Sequence, residues 1–214
     1  MILLQILILL ISIPCYAVTR SPVKEVQVFY KKTNSFEIFF EQKLLNKNLE
    51  KEIKNTGKMF YRKPGKFRLE YYRPFKKIFI LNEKNFYFMN PGESVIYLIN
   101  RCLNGDIVNL IFQSMEDPDS IEKKFDIIIN NSERELILSP KNKKKYVPNL
   151  ILTLDKKLFL IKELKFVDNH GNINIFKLRY ISLNKRIPEK LFQTQSPDED
   201  ISGALIEDCN SIVK

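Results

Sequence analysis

The chain has 214 residues, and 35 Lys+Arg against 25 Asp+Glu leave a net charge of +10 at pH 7, with 44% hydrophobic and 12% aromatic residues. Sixteen Phe with only 6 Gly and 10 Pro make a globular domain with a sizeable core and exclude global disorder. A basic balance points toward polyanions, but a genome rich in Lys and Asn codons produces it too, so charge alone selects no partner.

The first seventeen residues, MILLQILILLISIPCYA, carry no charged side chain. They read as a secretory signal cut after Ala17, with a helix-breaking Pro14 and small residues ahead of the cut. The apolar run is short for a transmembrane helix. With no Lys or Arg ahead of it, a retained membrane anchor stays open as the alternative. Pro14 directly before Cys15 argues against lipid attachment at that cysteine. This divides the chain into a signal peptide at 1–17, one domain at 18–196 and a tail at 197–214. Outside the signal, Cys102 and Cys209 either form one disulfide in an oxidising compartment or stay as two free buried thiols.

Ser21-Pro22 starts a helix, with Ser as N-cap and Pro at the first helical position. Val23, Val26, Phe29 and Tyr30 then recur at helical spacing, predicting a helix over 22–32. From Phe36 the period becomes two: Phe36, Ile38 and Phe40 alternate with Glu37, Phe39 and Glu41. Strands follow at 56–63, 66–72, 76–82, 85–89 and 94–99, divided by Lys63-Pro64-Gly65, Arg73-Pro74, Asn82-Glu83-Lys84 and Asn90-Pro91-Gly92. Linkers this short join only antiparallel neighbours, so this half is a meander.

A second helix is predicted within 103–120, with Ile107, Leu110, Ile111 and Met115 on one face and Val108 and Phe112 widening it. Its charges, Asp106, Glu116, Asp117 and Asp119, are all negative in a chain that is otherwise basic. Strands resume at 124–129, 134–139, 149–155, 158–167 and 172–183. The count is about eleven strands and two helices, with no internal repeat.

Carriers of chemistry are scarce. His170, the one histidine, lies in an Asp-Asn-His-Gly turn. There is no Cys-x-x-Cys pair, no histidine pair at helical spacing, no Walker sequence and no Gly-x-Gly-x-x-Gly turn. The reading assigns no catalytic residue, no metal site and no cofactor, and takes the protein for a non-enzyme. The stretch KMFYRKPGKFRLEYYRPFKK interleaves basic and aromatic residues as a single-strand nucleic-acid platform does. The same residues at period two make an apolar inner face and a charged outer one, and no nucleic-acid partner is expected.

In that alternation Met59, Tyr61, Lys63, Phe67, Leu69 and Tyr71 face inward, and Lys58, Arg62, Lys66, Arg68 and Glu70 face outward. Eleven antiparallel strands make a large curved sheet that two short helices cover only in part. The concave side either holds an apolar ligand such as an acyl chain or is filled by Phe rings, and periodicity does not separate the two.

The stretches SFEIFFEQ at 35–42, GKMFYRKPGKFRLEYYRP at 57–74, KIFILNEKNFYFMNP at 77–91 and NINIFKLRYISLNKRIPEKLFQ at 172–193 resemble the periplasmic outer-membrane lipoprotein carrier family, LolA. The basic-Pro-Gly-Lys-Phe-Arg turn is the most specific part. The resemblance implies an incomplete, unclosed β-barrel with a helical lid over an apolar cavity, located in the periplasm of a Gram-negative bacterium. It implies a monomeric chaperone that takes acylated lipoproteins from an inner-membrane lipoprotein-releasing ABC transporter to an outer-membrane lipoprotein receptor. An envelope-stress sensor, or a carrier of another lipid or glycolipid with the same fold, is the alternative. On this reading the acyl chains meet Phe36, Ile38, Phe40, Met59, Tyr61, Phe67, Leu69 and Tyr71 from the sheet, with Ile107, Leu110, Ile111 and Met115 from the lid. The family's latch, typically an Arg bonded to lid backbone, falls on Lys63, which offers a point charge where Arg offers a planar fork. The family's tryptophans have no counterpart, since the chain contains none.

Overall fold

The alternating residues assemble into one eleven-stranded antiparallel sheet with the order β6-β5-β4-β3-β2-β1-β11-β10-β9-β8-β7. In chain order, helix α1 (Pro22–Lys32) precedes strands β1 (Ser35–Asn46), β2 (Lys51–Arg62), β3 (Lys66–Arg73), β4 (Lys77–Asn82), β5 (Asn85–Met89) and β6 (Ile96–Leu98). Helix α2 (Ile107–Glu116), a 3-10 turn (Pro118–Ser120) and helix α3 (Ile121–Lys124) follow. Strands β7 (Phe125–Asn130), β8 (Glu135–Pro140), β9 (Leu150–Leu154), β10 (Ile161–Val167) and β11 (Ile173–Leu183) complete the sheet, and a last 3-10 turn spans Glu189–Phe192. The computed structural model describes residues 21–82, 85–91, 96–98, 107–132, 134–141, 149–168 and 170–194. The signal segment, the tail, Cys102 and Cys209 lie outside them.

The two meanders meet where β1 pairs with β11, and β6 and β7 stand at opposite ends of the sheet, so the barrel is unclosed. The first hairpin is longer than the alternation of its aromatic residues predicts, running in register from Ser35 opposite Arg62 to Asn46 opposite Lys51. Its distal half is dense in charge, with Lys43 opposite Lys54, and Glu52 pairs with both lysines. Charges on both faces hide the period there. Near its middle Phe40 lies opposite Gly57, where a Cβ would meet the Phe40 ring at 2.5 Å and the Glu70 carbonyl at 1.9 Å. The side-chain-free position thus seats the ring of its cross-strand neighbour.

Helix α1 occupies the predicted span, though Ser21 makes no side-chain cap bond. It buries Val23, Val26, Gln27 and Tyr30, one face at the i, i+3, i+4, i+7 spacing. The span expected as one helix over 103–120 is broken by Pro118, which cannot continue α2. The residue expected to begin the next strand, Lys124, instead ends α3. The main core joins Val23, Val26 and Tyr30 of α1 to Phe36, Ile38 and Tyr61 on one half of the concave face and Leu136, Leu138, Leu150, Leu152 and Leu154 on the other.

A smaller core lies on the convex face. Phe60 projects outward between Lys58 and Arg62, and it is covered by Ile187 and Phe192 after β11. Arg62 binds this segment three ways: its guanidinium stacks on Phe192 at 5.2 Å, donates to the Ile187 carbonyl at 2.8 Å and pairs with Glu189. Arg68 donates to the Leu191 carbonyl, and Lys66 also pairs with Glu189. Three of the outward basic residues, Arg62, Lys66 and Arg68, are therefore ligands of the segment at 187–192, while Lys58 pairs with Glu37 on β1.

Candidate functional site: an apolar cavity under the helices

Strand alternation and helix packing leave a cavity of about 450 Å³ between the concave face and the helices. Its walls are almost wholly apolar. One flank carries Phe36, Ile38, Met59, Phe67, Leu69 and Tyr71, continued by Phe79 and Phe86; α2 and the turn after it contribute Ile111, Met115 and Pro118. The Phe-filled interior and the open cavity thus coexist: Phe40 against Tyr71 at 5.1 Å, Tyr71 against Phe79 at 6.3 Å and Phe79 against Phe88 at 4.9 Å form an aromatic wall beside the empty space.

Eight of the ten predicted residues whose side chains are described line the cavity: Phe36, Ile38, Met59, Phe67, Leu69, Tyr71, Ile111 and Met115. Phe40 and Tyr61 are fully buried beside it, Phe40 over Gly57 and Tyr61 stacked on Phe36 at 4.9 Å. Ile107 and Leu110 belong to α2, but their side chains lie outside those described. The second half of the wall lies outside the predicted set. Leu138, Leu150, Leu152, Leu164, Phe176 and Tyr180 come from β8 to β11, and the alternation in LILTL and INIFKLRY was its signal.

The helices are held down by polar contacts from the β2–β3 turn. Lys63 Nζ donates to the Tyr30 carbonyl at 2.9 Å and the Lys31 carbonyl at 3.4 Å. Both carbonyls sit in the last turn of α1, where the dipole favours a cation; that of Tyr30 also accepts from the Thr33 backbone N–H at 3.3 Å. Two residues earlier, Tyr61 donates its hydroxyl to Glu116 Oε1 at 2.8 Å, and the Gly65 backbone N–H reaches the same oxygen at 3.1 Å. Glu116 ends α2, so one turn holds both long helices. Gly65 adopts φ +61°, a left-handed conformation that favours glycine.

Other helix contacts join α1 to the segment after α2: Lys24 pairs with Glu122 at 2.6 Å, Gln27 donates to the same carboxylate at 3.0 Å, and Lys31 pairs with Asp119 at 2.6 Å. The acidic run of the second helical segment is the counterpart of basic α1. Inside the cover, the Tyr30 and Tyr180 hydroxyls meet at 2.8 Å. Burial pushes the Tyr30 phenol up to about 12, offset in part by its bond to Tyr180. Burial likewise raises Tyr180 and Tyr71, and burial together with the Glu116 carboxylate raises Tyr61. All four stay protonated and neutral at ordinary pH.

The predicted turn role of His170 agrees with its placement: its backbone N–H donates to Asp168 at 2.9 Å, in an exposed turn.

An unclosed antiparallel half-barrel with an apolar interior and a helical cover is the framework of a binding protein for an apolar ligand. Residues 31–195 match the model of the family "Outer membrane lipoprotein carrier protein LolA", and the chain belongs to that family. A curated relative, the outer-membrane lipoprotein carrier protein of Nitrosomonas europaea, is 25% identical over 201 residues, covering 92% of this chain and 95% of the relative. Among solved structures, a putative outer membrane lipoprotein-sorting protein domain from Vibrio parahaemolyticus is 10% identical with a TM-score of 0.48, covering 79% of this chain and 95% of its own. A LolA superfamily protein from Nitrosomonas europaea is 9% identical with a TM-score of 0.45, covering 81% and 96%.

Proposed function

We propose that this protein is a periplasmic carrier that shields the acyl chains of lipoproteins and moves them from an inner-membrane lipoprotein-releasing ABC transporter to an outer-membrane receptor. The observation that carries the reading is the apolar cavity on the concave face, in a chain of the lipoprotein carrier family. No bond is made or broken in such a handover, and the protein acts as a monomer without a cofactor. The residues at 1–17 serve as its export signal.

Burial of acyl chains is worth about 0.8 kcal/mol per CH₂, so capture is strongly downhill and release is the demanding step. A cavity of 450 Å³ is in the range that encloses one drug-sized ligand. A lipoprotein's several acyl chains need more room, so loading requires the helices to lift from the sheet. Lys63 is the latch in this reading: it holds α1 by two hydrogen bonds to backbone carbonyls, few enough for a partner to reverse. Glu116 is a second latch on α2.

The test is mass spectrometry of lipid extracted from the protein purified out of its native envelope, followed by transfer of that cargo to outer-membrane vesicles. Acylated lipoprotein that co-purifies and transfers supports the carrier. Co-purification of a different lipid class, with no lipoprotein, replaces it by a carrier or envelope sensor of other cargo.

A further inference from the structure

The apolar alternation of the concave face is interrupted by amides in a row that crosses three neighbouring strands. On β1, Phe36, Ile38 and Phe40 are followed at the next inward position by Gln42; on β2 the residue opposite Gln42 is Asn55; on β11 Asn174 precedes Phe176. Gln42 and Asn174 are 8% and 6% exposed, and both line the cavity, as does Asp168 from the β10–β11 turn.

These groups form a hydrogen-bonded chain with one direction. Asn55 donates to Gln42 Oε1 at 3.1 Å, Gln42 Nε2 donates to Asn174 Oδ1 at 2.8 Å, and Asn174 Nδ2 donates to Asp168 Oδ2 at 3.3 Å. The carboxylate can only accept, so it fixes the polarity of the whole row. Asp168 is committed to the row and its turn, accepting from the side chain and backbone of Asn172 as well. Asn174 directs its other amide hydrogen at the Asn172 carbonyl. Gln42 has two amide hydrogens and spends one on Asn174, which leaves one N–H for the cavity. Because Gln42 Oε1 itself accepts from Asn55, that spare N–H is polarised toward a stronger donor.

Such a donor suits a neutral carbonyl. The nearby Asp168 disfavours an anionic headgroup or a free carboxylate. Gln42 stands six steps along the strand from Phe36, about 20 Å of aromatic and aliphatic wall leading to the end beneath α2.

We propose that Gln42 recognises the carbonyl of the ester or amide bond that joins an acyl chain to its headgroup, setting the depth and direction of the bound lipid. This rests on the carrier reading above. The chain then runs from the amide row along Ile38 and Phe36, with its methyl end under Met115.

The test compares dioleoylglycerol, its diether analogue and oleic acid as competitors of a fluorescent apolar probe bound to the purified protein. The expected result is that the diester binds about tenfold more tightly than the diether, the effect of one added hydrogen bond in a dry site, and that oleate is the weakest. In Gln42→Met the preference for the diester over the diether should disappear. Equal affinity of diester and diether for the wild-type protein would overturn the proposal whether or not the variant folds, as would a preference that survives in Gln42→Met. Failure of the probe and all three lipids to bind would instead overturn the carrier reading and the proposal with it.

Discussion

The Lys63 ammonium lies 2.9 Å from the main-chain oxygen of Tyr30, so the turn after β2 supplies a cation to the C-terminal end of α1. Replacing Lys63 with Met removes that donor and leaves the Tyr30 carbonyl with the Thr33 N–H alone. The cost is about 1 kcal/mol for a charge-assisted bond at a partly exposed site. Hydrogen exchange of the α1 amides should therefore quicken about fivefold while the amides of β1 and β11 are unaffected, and Lys63→Arg should restore protection. Unchanged exchange in Lys63→Met would remove this residue from control of the helix.

Glu116 joins Tyr61 to the end of α2, and each partner loses its contact if the other is truncated. Tyr61→Phe and Glu116→Met should each destabilise by about 1–2 kcal/mol in urea titrations, since neither variant can make the bond. The double variant should show a coupling of about 1 kcal/mol, as contacting residues do. Strict additivity would mean that the bond contributes nothing to holding the helix.

Gly57→Ala is expected to be among the most damaging small substitutions in the chain. The added Cβ would overlap the Glu70 carbonyl at 1.9 Å and the Phe40 ring at 2.5 Å, and a backbone oxygen in a central strand has little room to retreat. A loss of about 3 kcal/mol or more, seen as a lowered urea midpoint, is the expected outcome.

Stability should fall at alkaline pH through the buried tyrosines. Tyr30 titrates at about 12 when folded and at about 10 when unfolded. With the folded value raised, its contribution is complete below about pH 10 and is lost as pH rises toward 12. Between those limits each such tyrosine adds a slope of about 1.4 kcal/mol per pH unit. Urea midpoints taken from pH 8 upward should decline steeply above pH 10, and Tyr30→Phe and Tyr180→Phe should each flatten the decline.

On the convex face, Phe192 is fully buried against Phe60 and beneath the Arg62 guanidinium. Phe192→Ala should cost about 3–5 kcal/mol, the usual toll of an emptied aromatic site. Lipid affinity at a temperature where the variant is folded should stay within twofold of wild type, because the segment at 187–192 and the cavity lie on opposite sides of the sheet.

Much of this architecture was readable from alternation alone. Wherever one face is aromatic and the other charged, as in KMFYRK and KFRLEYY, side-chain period and strand coincide, and all eleven strands were anticipated. The distal half of the first hairpin was not, because the inward positions there turn polar, with Gln42, Asn46, Lys51 and Asn55, while Leu45 falls on the outward face with Lys43, Glu52 and Lys54. The negative charges of the second helical segment were visible, but not that Glu116 and Asp119 answer Tyr61 and Lys31, since those partners lie far along the chain. Phe60, between two basic neighbours on the outward face, was the one sign of a second core; its cover, Ile187 and Phe192, comes from over a hundred residues away.

Between β6 and β7 the ring of hydrogen bonds is interrupted. In a closed barrel, strand number and stagger dictate a single bore. Here no such equation applies: with β6 and β7 unpaired to each other, the width of the gutter is set by what packs across its mouth, the helices and the residues of the main core, and not by strand count alone.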